Sequence, residues 1–259
     1  MPKRDHYRPG TPSWIELATP DPAAAERFYG PLMGWSFHTE PAGEDATYTM
    51  VLRDGEPVAG LMTQPPEQIE MGLPALWNTY VTVESADEAA ARAAGAGGSV
   101  MAPPFDVMDV GRMAVVVDPA GAVTCVWEPR AHIGAHLVNE PGAFTWAELV
   151  TPDQTGAAAF YGQVFGWSAT ATEMPPIGTM TFFQLDGDDI ASALTLPDVP
   201  PHWQVYLGVG DCDAACAAVE AGGGSVLADP VDAPPGRMAP VADPAGAVFS
   251  VIALAQPAA

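Results

Sequence analysis

Apolar positions in this chain come in short runs broken by glycine, proline and aspartate, with alanine-rich segments of helical spacing between them. Trp14 to Thr19 predicts a strand. Asp21 then offers an N-cap, Pro22 suits the first turn and Gly34 the stop, which predicts a helix between them. Trp35–Thr39, Tyr48–Arg53 and Pro57–Met62 predict three more strands, separated by Gly, Asp and Pro turn signals. The order repeats at once, with a strand over Trp77–Val83, a helix over about Ala86–Ala94 ended by glycines, and strands over Ser99–Ala102, Met113–Asp118 and Ala122–Trp127. Each block is a βαβββ module. Its helix is too short to stand alone and must cover one face of its own strands, leaving the other face to wrap a cavity.

The whole pattern then recurs. WIELATPDPAAAERFYGPLMGWS from Trp14 returns without a gap as WAELVTPDQTGAAAFYGQVFGWS from Trp146, and GRMAVVVDPAGAV from Gly111 returns as GRMAPVADPAGAV from Gly236. The segment from Trp77 to Val100 likewise matches Trp203 to Val226. A repeat of this length means that the chain is a duplication. Four βαβββ modules fill it, an α+β fold with a first domain over 1–130, a linker over 131–143 rich in small residues and turn formers, and a second domain over 144–259.

Composition narrows the partners. Nine basic against 32 acidic residues in 259 give a formal charge of −23, which repels nucleic-acid backbones and anionic lipid surfaces and favours neutral or cationic small molecules. Arg237 is the only Lys or Arg after Arg130. Three cysteines do not make a disulfide framework, and neither a signal peptide nor a long apolar span is evident, so a cytoplasmic protein is expected. Cys212 and Cys216, four apart on a predicted helix, read as small core residues rather than a metal pair.

Paired βαβββ modules, an F-Y helix running into G-W (Phe28, Tyr29, Gly34, Trp35) and D-P-x-G before each half's last strand resemble the vicinal oxygen chelate superfamily, which includes glyoxalase I, bleomycin-resistance proteins and extradiol dioxygenases. The resemblance covers nearly the whole chain and implies two tandem glyoxalase-like domains. Its W-x-E-L-x-T-x-D variant is similar to two-domain bacterial proteins of hydroxylase-like or glyoxalase-like type, some tied to aromatic polyketide pathways. Metal-using members carry ligands at the starts of the first strands and a glutamate after D-P-x-G. Here those positions hold Trp14, Asn78 and Cys125 in the first half and Trp146, Gln204 and Ser250 in the second. Tryptophan cannot coordinate and an amide is a poor donor, so no metal ligands and no cofactor are expected.

Glu16 and Glu148 lie two residues beyond the tryptophans, on the same strand face. Either they are exposed carboxylates at strand ends, or they are the residues for chemistry, with pKa values raised in an apolar cleft for proton transfer or for holding a ligand hydroxyl or amine. Trp14, Tyr80 and Trp127, with Trp146 and Tyr206, fall on the same faces and suit a planar or apolar ligand, while Trp77 and Trp203 point into the core. The expected function is metal-independent binding of an aromatic or hydrophobic small molecule, as a tailoring or drug-resistance protein. The alternative is a metal-dependent glyoxalase, lyase or dioxygenase using a shifted glutamate site. The first cleft, with Cys125 and Trp127 where the second has Ser250 and Ile252, is the more aromatic and is expected to be the active one. Arg112 and Arg237 read as salt-bridge residues, His202 as a loop histidine, and His132 and His136 as linker packing. One chain supplies all four modules, so a monomer or a homodimer is expected.

Overall fold

The computed structural model describes residues 3–41, 47–175 and 178–255. The first half runs β1 (Pro12–Thr19), α1 (Pro22–Met33), β2 (Ser36–Pro41), β3 (Thr47–Arg53), β4 (Glu56–Thr63), a five-residue helix α2 (Pro66–Glu70), β5 (Leu76–Thr82), α3 (Ala86–Gly95), β6 (Ser99–Val107), β7 (Gly111–Val117) and β8 (Val123–Pro129). The second runs β9 (Phe144–Val150), α4 (Gln154–Phe165), β10 (Ser168–Met174), β11 (Gly178–Leu185), β12 (Asp188–Leu194), β13 (His202–Gly208), α5 (Cys212–Ala221), β14 (Ser225–Val226), β15 (Val231–Ala233), β16 (Gly236–Ala242) and β17 (Val248–Leu254). Among the described residues, only α2 and the short β15 depart from four βαβββ modules in series.

Local chemistry sets the helix ends. Asp21 and Asp153 accept the backbone N–H three residues on, and Gly34 and Gly166 close α1 and α4 in the left-handed conformation that favours glycine. Ser85 and Asp211 cap α3 and α5 in the same way.

Two modules make one sheet. In the first half the strand order is β2-β3-β4-β1-β5-β8-β7-β6, with β1 antiparallel to β5 at the centre, and the second half repeats it as β10-β11-β12-β9-β13-β17-β16-β14. The period of two along β1 sends Ile15 and Leu17 to the main core and Trp14 and Glu16 to the opposite, concave face. That core is continuous across both halves, because α1 packs on α5 and α3 on α4. Burying each of Phe160, Phe183 and Phe249 there contributes about 1.5–3 kcal/mol.

The halves are stitched by pseudo-equivalent bonds. Trp35 Nε1 donates to Gly142 O and Trp167 Nε1 to Gly10 O, both at 2.7 Å. As the sequence indicates, Trp77 and Trp203 lie in the core, donating to Tyr29 Oη at 3.2 Å and to Thr124 Oγ1 at 2.8 Å.

Candidate functional site

Each concave face centres on one buried carboxylate. Glu16 and Glu148 are both 5% exposed, so neither is a solvated strand-end group. In the first half Tyr80 Oη donates to Glu16 Oε1 at 2.9 Å, Tyr48 also bonds the carboxylate, and Trp14 Nε1 donates to Tyr48 Oη at 3.2 Å. In the second, Tyr206 Oη donates to Glu148 Oε2 at 2.7 Å, Ser192 Oγ to Oε1 at 2.9 Å, and Trp146 Nε1 to Ser192 Oγ at 2.9 Å. The two halves therefore build one motif from different parts. Gly60 faces Glu16 across β1 and β4, whereas Ser192 faces Glu148 across β9 and β12. The missing side chain at Gly60 is the space in which the Tyr48 hydroxyl sits. Tyr48 escapes a reading of the first strands; its signal is the glycine opposite Glu16.

Burial raises the pKa of both glutamates, opposed in part by the hydroxyls they accept from. Burial and the nearby Glu16 charge push the Cys125 thiol far up. Tyr80 and Tyr206 are raised by burial and then by their glutamates.

The faces differ in access. Trp14, Tyr80, Cys125 and Trp127 are 3–5% exposed and form a cluster with Ala135 of the linker. That linker is tied down over them: Ala135 N donates to Ser13 O at 2.8 Å, Trp127 Nε1 to His132 O at 2.8 Å, and Tyr7 Oη to Ala135 O at 2.6 Å. The His132 ring stands edge-on to Trp14 with centroids 4.5 Å apart, and burial holds its pKa down at about 4. The extra aromatic content of the first face is thus consumed in packing on the chain itself. On the second face Trp146 and Tyr206 are half-buried, beside Gln204, Ser250 and Ile252.

His202 is not a loop residue. It opens β13 and shares the concave face with Gln204 and Tyr206, its Nε2 lying 3.2 Å from Gln204 Oε1 and its Nδ1 2.9 Å from Pro200 O. Asn78 is half-buried and faces Glu16 across β1 and β5. Arg112 pairs with Asp87 and Asp106, and Arg237 with Asp213 and Asp232, as expected for salt-bridge residues. Two grooves of about 360 and 320 Å³ run along the seam between halves, and neither is lined by a concave-face residue.

A divalent ion does not fit either donor set. The first face offers one carboxylate and the second one carboxylate and the His202 imidazole, each carboxylate already accepting two hydroxyls, and among the described residues no three His, Cys, Asp or Glu side chains are placed to hold an ion. No helix of the described residues is long and apolar enough to cross a membrane.

The glyoxalase/bleomycin resistance protein/dioxygenase superfamily model matches residues 11–126 and again 143–251. The chain belongs to that superfamily. It is 41% identical to "Putative glyoxylase CFP32" of Mycobacterium tuberculosis, over 97% of this chain and 98% of that one. It is 36% identical to the anthracycline biosynthesis protein DnrV of Streptomyces peucetius, over 96% and 94%. The fold also matches the Mn(II)-bound glyoxalase of Novosphingobium aromaticivorans, with a TM-score of 0.64 at 16% identity over 95% of this chain and 82% of that one. The 2,2',3-trihydroxybiphenyl 1,2-dioxygenase of Sphingomonas wittichii gives 0.63 at 12%, over 96% and 92%. The superfamily fold is thus kept over both halves of the chain.

Proposed function

We propose that this superfamily member binds a planar, largely apolar small molecule on the concave face of its second half, without a metal, and that Glu148 holds or moves a proton on it. One observation carries the reading: a buried carboxylate stands beside the partly buried side chains of Trp146 and Tyr206, whereas the equivalent group in the first half lies under the linker. Flat, rigid side chains bind such ligands at low entropy cost, and a carboxylate in an apolar cleft suits general acid–base work. Relatives named for glyoxylase and anthracycline biosynthesis support a tailoring role. Residues 131–143 then serve as linker and as the cover of the first cleft.

The test is a titration of planar aromatics, including 2-naphthol, followed by tryptophan fluorescence. Binding should survive Trp14→Ala and be lost in Trp146→Ala; loss in Trp14→Ala alone would reverse the assignment. Stoichiometric Mn, Fe, Ni or Zn in the purified protein, with chelation abolishing turnover, would replace this reading by the metal-dependent one.

A further inference from the structure

Two hydrogen-bonded paths on the second concave face end on Glu148. From one side Trp146 donates to Ser192, and Ser192 to Oε1. From the other, His202 Nε2 faces Gln204 Oε1, Gln204 Nε2 donates to Ser250 Oγ at 3.1 Å, Ser250 bonds the Tyr206 hydroxyl, and Tyr206 donates to Oε2. Both ring nitrogens of His202 face carbonyl oxygens, so whichever nitrogen carries a hydrogen donates it to the oxygen it faces, Nε2 to Gln204 Oε1. Donation from Nε2 turns the Gln204 amide oxygen toward the ring and the amide hydrogens toward Ser250. Ser250 then keeps its own hydrogen for Tyr206, and Tyr206 keeps its hydrogen for Glu148. Were the amide reversed, Ser250 would donate to Gln204 and the string would lose its direction.

The first half keeps only a Cys125–Tyr80 contact of this string and folds without the rest. Leu76, Asn78 and Cys125 stand at the positions of His202, Gln204 and Ser250, while the tyrosine and the carboxylate are kept. Three differences falling together on one hydrogen-bonded path, on the accessible face and not on the covered one, point to a role in the site rather than in folding.

The string also defines what Glu148 can meet. Two donors occupy two of the roughly four acceptor directions of a carboxylate, and the others remain for a ligand. The one Lys or Arg of residues 131–259, Arg237, is bound to Asp213 and Asp232. Taking this face as the ligand site proposed above, we infer that its ligand is a neutral or cationic planar molecule presenting a hydroxyl or amine hydrogen to Glu148, and that His202 is a positioning residue that keeps Glu148 an acceptor through Gln204, Ser250 and Tyr206.

Three matched probes test this by calorimetry: 2-naphthol, 2-methoxynaphthalene and 2-naphthoate. The wild type should bind 2-naphthol about tenfold tighter than its methyl ether, with the carboxylate weakest, because only the naphthol supplies a hydrogen to the acceptor. His202→Leu and Ser250→Ala should each erase most of that preference while leaving the methyl ether within about twofold of wild type, which also reports an intact cleft. His202→Gln, whose amide can donate to Gln204, should restore the preference. Equal affinity of naphthol and ether in the wild type, or a preference untouched in both His202→Leu and Ser250→Ala, overturns the inference and leaves a binding cleft standing. Absence of binding by all three probes removes the cleft reading, and the inference with it.

Discussion

Tyr29 in the first half donates its hydroxyl to Asp243 Oδ2 in the second, at 3.1 Å, and Tyr161 returns the bond to Asp118 Oδ2 at 3.2 Å. Each aspartate belongs to a D-P-A-G turn and also accepts backbone N–H bonds within that turn, so a tyrosine from one half clamps the turn that precedes the last strand of the other. The F-Y and D-P-x-G motifs of the two halves thus complete one another across the seam.

Tyr29→Phe removes the hydroxyl while keeping the ring, and leaves Trp77 Nε1 and one Asp243 oxygen without that partner. We expect a loss of about 1–3 kcal/mol, read as a lower urea midpoint, and a similar loss for Tyr161→Phe. Unchanged midpoints for both would mean that the clamp is not a source of stability.

The covered first face should make the protein acid-sensitive through His132. Burial, and then the charge of His136, lowers its pKa to about 4, against about 6.5 in an unfolded chain. Above about pH 6.5 both states are neutral and the stability is complete. As the pH falls toward 4 the unfolded chain takes up a proton that the buried ring refuses, and up to about 3 kcal/mol is lost. His132→Phe keeps the contact with Trp14, removes the titration, and removes a buried Nε2 without a hydrogen-bond partner. Chemical denaturation between pH 7 and 4.5 should therefore show a shallower loss in this variant; the same loss in both proteins would sink the assignment. Paired surface carboxylates such as Asp87 and Asp213, held below the usual 3.8 by Arg112 and Arg237, lose their contributions at lower pH.

The two carboxylate motifs should be interchangeable in part. Gly60→Ser places a side chain where the Tyr48 hydroxyl sits, and should cost about 1–3 kcal/mol. Adding Tyr48→Met copies the second half, where Met180 and Ser192 stand at these positions, and should recover most of the loss. Simple additivity of the two substitutions in thermal or urea unfolding would refute the equivalence.

Glu16→Gln and Glu148→Gln should separate the roles of the halves. The first changes a carboxylate enclosed under the linker, and should lower Tm by several degrees while leaving 2-naphthol binding within about twofold. The second should weaken that binding about tenfold with a smaller change in Tm. Titrations of both variants alongside their melting curves decide the matter, and the opposite pattern would move the site to the first half.

Much of this was legible along the chain. The duplication, the capped helices and the alternation that puts Trp14 with Glu16 and Trp146 with Glu148 are local properties, set by periods of 3.6 and 2 and by turn chemistry. What spacing could not convey was which face is covered, because the more aromatic first cleft lies under His132 and Ala135 of the linker, and burial depends on where a linker lands rather than on its composition. The same reason hid Tyr48, which reaches Glu16 from a different strand through the space left at Gly60, and turned His202 from a loop residue into the head of a hydrogen-bond string. Sequence by itself determined the modules and the two carboxylates; only the tertiary structure decided which of them lies under the linker, since cover is a property of packed surfaces and not of any single segment.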